Sequence, residues 1–448
     1  MEGLWRPLAE VAVILLAGAA IGCGLAGAFL TAAAGRTERA AWGFAIGLAL
    51  LAASAPLAFA ARRPPREMAL LLGALAVGGA FLLRHRRGKD AAQGRRRGGV
   101  RALLTRPGIL LLPLVAFGAA VFALRALTEP MWSNDYIAIW GFKGKTIFGA
   151  GGVPRRLFAD PALGFSHPEY PLGLPFLYAS LSFLLGRWDD HAMALLFPFL
   201  QAATLLALFG WLRRRGVTPT IALFAAALLA NFGPLYSALH TGMGDIPFAF
   251  VSLLFGTALV DALDQIDPMA VRRLALATVL AVSTKNEGTL LAAAGAFLCL
   301  ASRGWARRAS RGAAAAIVAP AVSLLLAGRL WKGALPLRDF DLALLGPTLI
   351  LELLPRVAEA IHTAFREVIL PSWPGLLCIA VLIAAGRSAP AGNRLLALAI
   401  LCCLAYLLAP SLAALGPDWL IRTSFARTVC ALAPLAAAAI ASRLKIEG

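Results

Sequence analysis

The stretch PGILLLPLVAFGAAVFALRAL (107–127) decides the fold. Its only charged side chain is Arg125, and a helix of that length, rising about 1.5 Å per residue, matches the roughly 30 Å hydrocarbon thickness of a bilayer. The apolar residues are continuous, without the period-two alternation of a barrel strand. The flanks differ sharply. RHRRGKDAAQGRRR (84–97), continuing to Arg106, sets nine Lys and Arg against one Asp, the mark of a cytoplasmic loop. On the other side stands the longest polar interruption after a series of apolar segments. It comprises WSNDYIAIWGFKGK (132–145), a run with Gly and Pro, and HPEYP (167–171).

Working outward, apolar runs recur at 8–34, 40–61 and 67–83 before this stretch, and at 171–186, 191–212, 312–331, 374–386, 395–415 and 425–441 after it. With 60% hydrophobic residues and a mean hydropathy of +0.77, the 448-residue chain carries more apolar surface than a soluble core absorbs. The expected fold is all-α, a polytopic helical membrane protein. The formal charge of +19 would suit nucleic acid, but the bases sit in short runs between apolar segments, as loops facing anionic lipid do, so no nucleic-acid partner is expected. Cys23, Cys299, Cys378, Cys402, Cys403 and Cys430 fall in or beside apolar runs and read as small buried hydrophobes rather than disulfides or a zinc site. The N-terminal run has no clean cleavage site and reads as a retained transmembrane helix.

Charge then orders the chain. Residues 1–106 form N-terminal transmembrane helices and the basic loop, 107–302 a core with an outer loop over 128–190, and 303–448 the C-terminal helices. If the basic loop is inside, 107–127 exits and the polar loop is extracytoplasmic. Arg213, Arg214 and Arg215 belong inside too, so the Pro-bounded segment 171–186 is expected as a juxtamembrane or re-entrant helix, extending the outer loop to about Asp190. Arg272, Arg273 and the cluster Arg303 to Arg311 then fall inside, and the turns at His240–Asp245 and Lys285–Glu287 outside. RRPPRE (62–67) competes with the 84–106 loop for the inner side, which leaves the first three helices' orientation open. Asp339, Asp341 and Glu352 follow in a less regular region, and PRVAEAIHTAFREVIL (355–370) has apolar positions at helical spacing that suit the interface. No internal repeat stands out.

The polar loop concentrates chemistry. Glu129, Asp135, Asp160 and Glu169 lie among Lys143, Lys145, Arg155 and Arg156, in a loop too long and too rich to be mere connection. Asp135, flanked by Trp132, Tyr136 and Trp140, suits a general base at headgroup level, or else a loop cap. Asp245 in TGMGDIP (241–247) is a second acid at an outer turn, or an N-cap before Ile-Pro. Lys285 and Glu287 in STKNEG (283–288) break an apolar run at a membrane boundary, where charge is costly unless paired or functional. His167 and Glu169 can orient a substrate, or hold a divalent ion with Asp135 and Asp245, although one His with scattered carboxylates is a weak metal pattern. Arg422 and Arg427 suit bidentate binding of phosphate, or simple interface anchoring.

In order, an Asp followed by an aromatic-rich IW-x-x-K stretch, H-P-E-Y-P-L, G-D-I-P at the next outer turn and T-K-N-E-G resemble the bacterial integral-membrane glycosyltransferases of the GT-C superfamily, nearest the Rgt-type and dolichyl-phosphate-mannose-dependent-like enzymes. The resemblance covers about 107–302, and the C-terminal third only through its helix pattern and the Arg427 neighbourhood. It implies a GT-C-like bundle in the bacterial inner membrane with an outward-facing site. It also implies inverting transfer of a sugar from a polyprenyl-phosphate carrier to a glycan, lipid or protein acceptor. The essential acid of the first outer loop maps onto Asp135 and a second acid onto Asp245. Trp140, Lys143, Lys145, His167, Glu169, Tyr170, Lys285, Glu287 and Arg427 are the expected substrate-binding set. Asn134-Asp135 stands where many members carry paired acids, which favours metal-independent chemistry and leaves a divalent cation open. The rival class is a transporter or lipid flippase in which Asp135, Asp245, Lys285 and Glu287 form a relay. A non-catalytic scaffold is a second rival.

Overall fold

The computed structural model describes residues 2–30, 34–87, 106–236, 242–264, 268–301, 308–332, 349–370, 383, 389–412 and 417–444. Most of the basic loop 84–106, His240, the cluster from Arg303 to Arg307, Asp339, Asp341, Cys378 and all but one residue of the helix expected at 374–386 lie outside them. Among the described residues the chain is all-α, with no strand. Seven helices among the described residues are long and apolar enough to cross a membrane, and Ile421–Cys430 with Ala433–Arg443, bent by 42°, would make an eighth span. This is a multi-pass integral membrane protein.

The first three helices, α1 (Glu2–Leu25), α2 (Arg36–Ala60) and α3 (Pro65–Arg87), form an up-down-up unit. Its tightest contact is glycine on glycine: a Cβ on Gly22 of α1 would lie 1.9 Å from the Gly43 carbonyl of α2. Small residues let helix backbones meet where lipid removes the hydrophobic drive to associate. Gly24 of α1 lies against Ala80 of α3, so the C-terminal ends of α1 and α3 point the same way. The chain continues with α4 (Arg106–Thr128), α5 (Gly141–Ala150), α6 (Gly173–Leu185), α7 (Leu196–Arg214) and α8 (Pro219–Ala230). Helix α8 stops partway along α4, where the Asn231 amide donates to the Leu114 carbonyl at 2.9 Å. Helices α9 (Asp245–Asp264), α10 (Pro268–Thr284), α11 (Glu287–Ala301) and α12 (Arg308–Lys332) complete the centre. The remaining helices are α13 (Leu349–Ala364), α14 (Pro390–Leu408), α15 (Ala426–Cys430) and α16 (Ala433–Arg443).

Helix α9 is the axis. Every residue from Asp245 to Ala262 is buried, as expected of a helix that is apolar all round. Its ends carry different charged groups. Asp261 near the C-terminus meets Arg214 of α7, the adjoining Arg215 (3.0 Å) and Arg273 of α10 (3.2 Å). Arg214 also grips Glu38 of α2 through two hydrogen bonds of 2.7 and 2.8 Å. Asp264 binds Arg215 at 2.8 Å and also pairs with Arg394 of α14. The sequence reading placed Arg213–Arg215 and Arg272–Arg273 as loop charges facing lipid. Arg214, Arg215 and Arg273, with Arg394, pair with acids that tie five helices together at this arginine end.

The opposite, loop end is fixed by separate contacts. Glu10 of α1 meets Arg187, just after α6, at 2.7 Å, while Phe29, beyond the other end of α1, accepts from Arg273 at 2.9 Å. Helix α1 therefore begins at the loop end and finishes at the arginine end, α2 returns, and RRPPRE lies with the polar loop. That orders the three helices whose orientation the charge pattern left open. Helix α6 has 13 residues and stays at the loop end, with Gly173 against Ser283 and Arg187 on Glu10. In the amphipathic segment, Leu354, Ile361 and Phe365 are exposed, while Ala360 and Ala364 pack with Ile421.

Candidate functional site

The polar loop does not hang free. Its first turn is a π-helix, Tyr136–Trp140, a rare form that is frequent at functional sites. The Ser133 hydroxyl accepts from the Tyr136 N–H at 3.1 Å to start it, and Asp135 lies at its mouth. Tyr136 donates through its hydroxyl to Asp190, which also accepts from the Trp188 indole at 2.6 Å. Burial, together with Asp190, pushes the Tyr136 hydroxyl pKa well above its ordinary value, so it remains a donor. A second π-helix, Ile421–Phe425, leads into α15 and delivers Arg427.

Four segments far apart in sequence meet here. Arg427 reaches Asp135 at 2.8 Å through one Nη, and its Nε lies 3.3 Å from Asp245. Asp245, fully buried at the start of α9, pairs with Lys285 at 2.9 Å. Lys285, in the turn between α10 and α11 and itself 4% exposed, pairs in turn with Glu287 at 2.6 Å, and Thr428 donates to Glu287 at 3.3 Å. Asp135, Asp245, Glu287, Lys285 and Arg427 thus make one continuous network with one more acid than base. Asp245 begins its helix as an N-cap reading would have it, but its carboxylate answers to two cations. Buried ions persist only when paired in this way. The sequence reading named Asp135 as a candidate base and Arg427 as a candidate phosphate ligand, and the structure pairs the two directly.

A second group adjoins the first. The Trp140 ring lies against Gly244, beside Asp245; a Cβ there would sit 3.3 Å from the indole. Trp140 packs on Tyr170 (ring centroids 5.6 Å) and Tyr170 on His167 (4.8 Å). His167 Nδ1 lies 3.2 Å from Glu169. Lys143 is buried and donates to the His167 carbonyl at 2.5 Å, with its Nζ 5.8 Å from the Tyr170 ring centroid. Its role here is to hold the loop. Lys145 is exposed, on a face shared with Phe142, Thr146 and Arg156, and makes no ion pair with the network. Arg422 pairs with Asp418 at 3.0 Å and Glu367 at 3.7 Å, apart from Arg427.

Between α2, α6, α9 and α10 runs a narrow apolar cleft lined by Ala45, Leu48, Leu174, Leu177, Phe250 and Leu280, closing on Ser283 and Thr284 directly before Lys285. Among the described residues no group of three or more His, Cys, Asp or Glu side chains is arranged to hold a metal ion. Sequence reasoning missed Asp190 and Tyr136 as the pair that fixes the π-turn. The available signal was an acid following Trp188 at the end of the loop. No protein-family model, curated protein or solved structure matches the chain.

Proposed function

We propose that the protein is an inverting glycosyltransferase that moves a sugar from a polyprenyl-phosphate carrier to a glycan, lipid or protein acceptor on the extracytoplasmic side of a bacterial inner membrane. The observation that carries this reading is the convergence of Asp135, Asp245, Lys285, Glu287 and Arg427 at one end of a transmembrane bundle, above an apolar cleft. A lipid-phosphate donor needs that division, with charge at headgroup depth and apolar walls below. The arginine end, with the basic loop, belongs in the cytoplasm by the positive-inside rule, which puts the network outside.

Arg427 and Lys285 are the cations for the carrier phosphate. An arriving phosphate competes with Asp135 for the Arg427 Nη and releases the carboxylate to act as base. The acceptor oxygen then bonds to the anomeric carbon as the bond from that carbon to the phosphate oxygen breaks. The acceptor proton passes to Asp135, and the electron pair leaves on the carrier phosphate, held by Arg427. Displacement inverts the centre with no covalent enzyme intermediate. Incubating purified protein with a panel of radiolabelled polyprenyl-phosphate sugars tests the reading: label should pass to an acceptor or to water, and inertness toward the whole panel would remove it.

Burial of the Asp245–Lys285 pair also suits a transporter or lipid flippase with a charge relay. Thiol labelling of cysteines introduced at 134 and 165, both exposed positions of the polar loop, separates the two. Reaction with an impermeant reagent from outside favours the transferase, and burial from both sides favours transport.

A further inference from the structure

We propose that the exposed face of α5 and the short helix Arg156–Ala159 form an anion site, separate from the charged network, that takes a phosphate group carried on a ligand of small-molecule size. Three observations carry it. The first is space. An open pocket of about 330 Å³ is lined by Phe142, Lys145, Thr146, Gly149 and Ala150 of α5 and by Arg156, and no residue of the network lines it. Pockets for small molecules begin at roughly 300 Å³, so this one has room for more than a bare ion. The second is charge. Lys145 and Arg156 are both exposed, and neither pairs with a carboxylate of the described residues. Asp160, four residues beyond Arg156, accepts instead from the Ala162 N–H at 2.9 Å. The third is a firm mounting. The opposite face of α5 is buried at Lys143, Gly144 and Ile147, and Leu157 and Phe158 join Ile147 in one apolar cluster, so both cations stand on anchored backbone.

The ligand class follows from the lining. Thr146 donates its hydroxyl to the Phe142 carbonyl at 2.8 Å, which leaves Lys145 and Arg156 as the donors to an anion. Two cations on separate elements suit the tetrahedral oxygens of a phosphate; a planar carboxylate is matched by one guanidinium alone. Phe142 packs on the exposed ring of Phe165, centroids 5.5 Å apart, and gives the carbon skeleton of the ligand an apolar wall. Under the orientation proposed above the pocket opens to the outside, where basic side chains are scarce in membrane proteins, and exposed bases kept there point to a ligand. That outward placement rests on the transferase reading; the binding itself does not. Two sources present this chemistry: the headgroup of an outer-leaflet anionic phospholipid, and a soluble phosphorylated molecule.

The test is phosphorus NMR titration of glycerol 3-phosphate against the purified full-length protein. It should bind, and its Kd should rise about tenfold in Lys145→Gln and in Arg156→Gln, the scale of a hydrogen bond to a charged group. Gly149→Phe should also weaken binding by filling the pocket with no change of charge; a Cβ at Gly149 meets nothing within 4 Å, so this variant keeps its fold. Arg63→Gln, exposed at the same end of the bundle, should bind as wild type. Absence of binding, or wild-type binding by Lys145→Gln and Arg156→Gln, overturns the proposal, and so does equal weakening by Arg63→Gln, which would mean attraction to net charge only. Repeating the titration in nanodiscs separates the sources. Binding seen in phosphatidylcholine and lost in phosphatidylglycerol assigns the pocket to a lipid headgroup, and binding kept in both assigns it to a soluble phosphate. Binding with no transfer from any lipid-phosphate sugar overturns the transferase reading instead and leaves this site standing.

Discussion

Arg427 holds Asp135 at 2.8 Å and approaches Asp245 at 3.3 Å, and so sets how both acids behave. Arg427 occupies the Asp135 carboxylate, so under the transferase reading Asp135 is free to take a proton only once a donor phosphate has drawn that cation away. Asp135→Asn should cut sugar transfer by about 10²- to 10⁴-fold, the usual loss for a general base, and circular dichroism of the purified variant should match wild type. Lys285 answers to a different experiment. Lys285→Met leaves buried Asp245 with only the Arg427 Nε, at 3.3 Å, as a partner and should cost about 3 kcal/mol, read as a fall in thermal midpoint in detergent. Lys285→Met with Asp245→Asn should regain much of the loss, since the uncompensated charge is gone. Asp245→Asn alone closes the cycle, and a loss in the double variant equal to the sum of the two single losses would show that the pair has no energetic coupling. Most of this network was legible: the costly charges at Asp245, Lys285 and Glu287 stood out because they interrupt apolar runs. Which cation meets which acid was not legible, because Arg427 reaches Asp135 only after the last helices fold back across the bundle.

At the scale of elements, the bundle is organised by what sits at helix ends. Helix α9 is buried from Asp245 to Ala262, and its Asp261 takes three arginines from α7, the turn after it and α10. Asp261→Asn leaves those cations short of a partner and should destabilise the protein by about 3–5 kcal/mol, which the same melting assay checks. Helices α1 and α2 depend on bare backbone: Gly22→Leu should separate them, since a single Cβ there already meets the Gly43 carbonyl at 1.9 Å. Crosslinking between cysteines placed on the two helices would report the loss. The apolar runs predicted most of these helices, and the short 171–186 segment was recognisable as a poor span from its length and prolines. The arginine-end network was hidden by its own composition. Runs of Arg read as topology, and nothing local distinguishes an arginine that faces lipid from one that turns inward to Glu38 or Asp261.

For the molecule as a whole, the contacts of α1 fix an arrangement that charge counting left undecided. Glu10 meets Arg187 at the loop end while Phe29 meets Arg273 at the arginine end, so the N-terminal end of α1 shares a side with the polar loop. Under the proposed orientation, an impermeant thiol reagent applied to intact cells should label cysteines introduced at the exposed positions 63, 134 and 165, and should leave one introduced at 90 unlabelled until the membrane is opened. Labelling at 63 and 90 on the same side would contradict this order of helices.

Helix α9 is moored at both tips: Asp245 is tied to Lys285, and Asp261 to arginines from three directions, about 24 Å apart at the usual helical rise. A rod tethered so cannot piston along its length or tip between two tilts without breaking ion pairs at one extremity. Any movement that keeps both sets of pairs must therefore come from the helices around it, and the bent C-terminal pair Ile421–Cys430 and Ala433–Arg443, which carries Arg427, adds a third tie at the Asp245 tip.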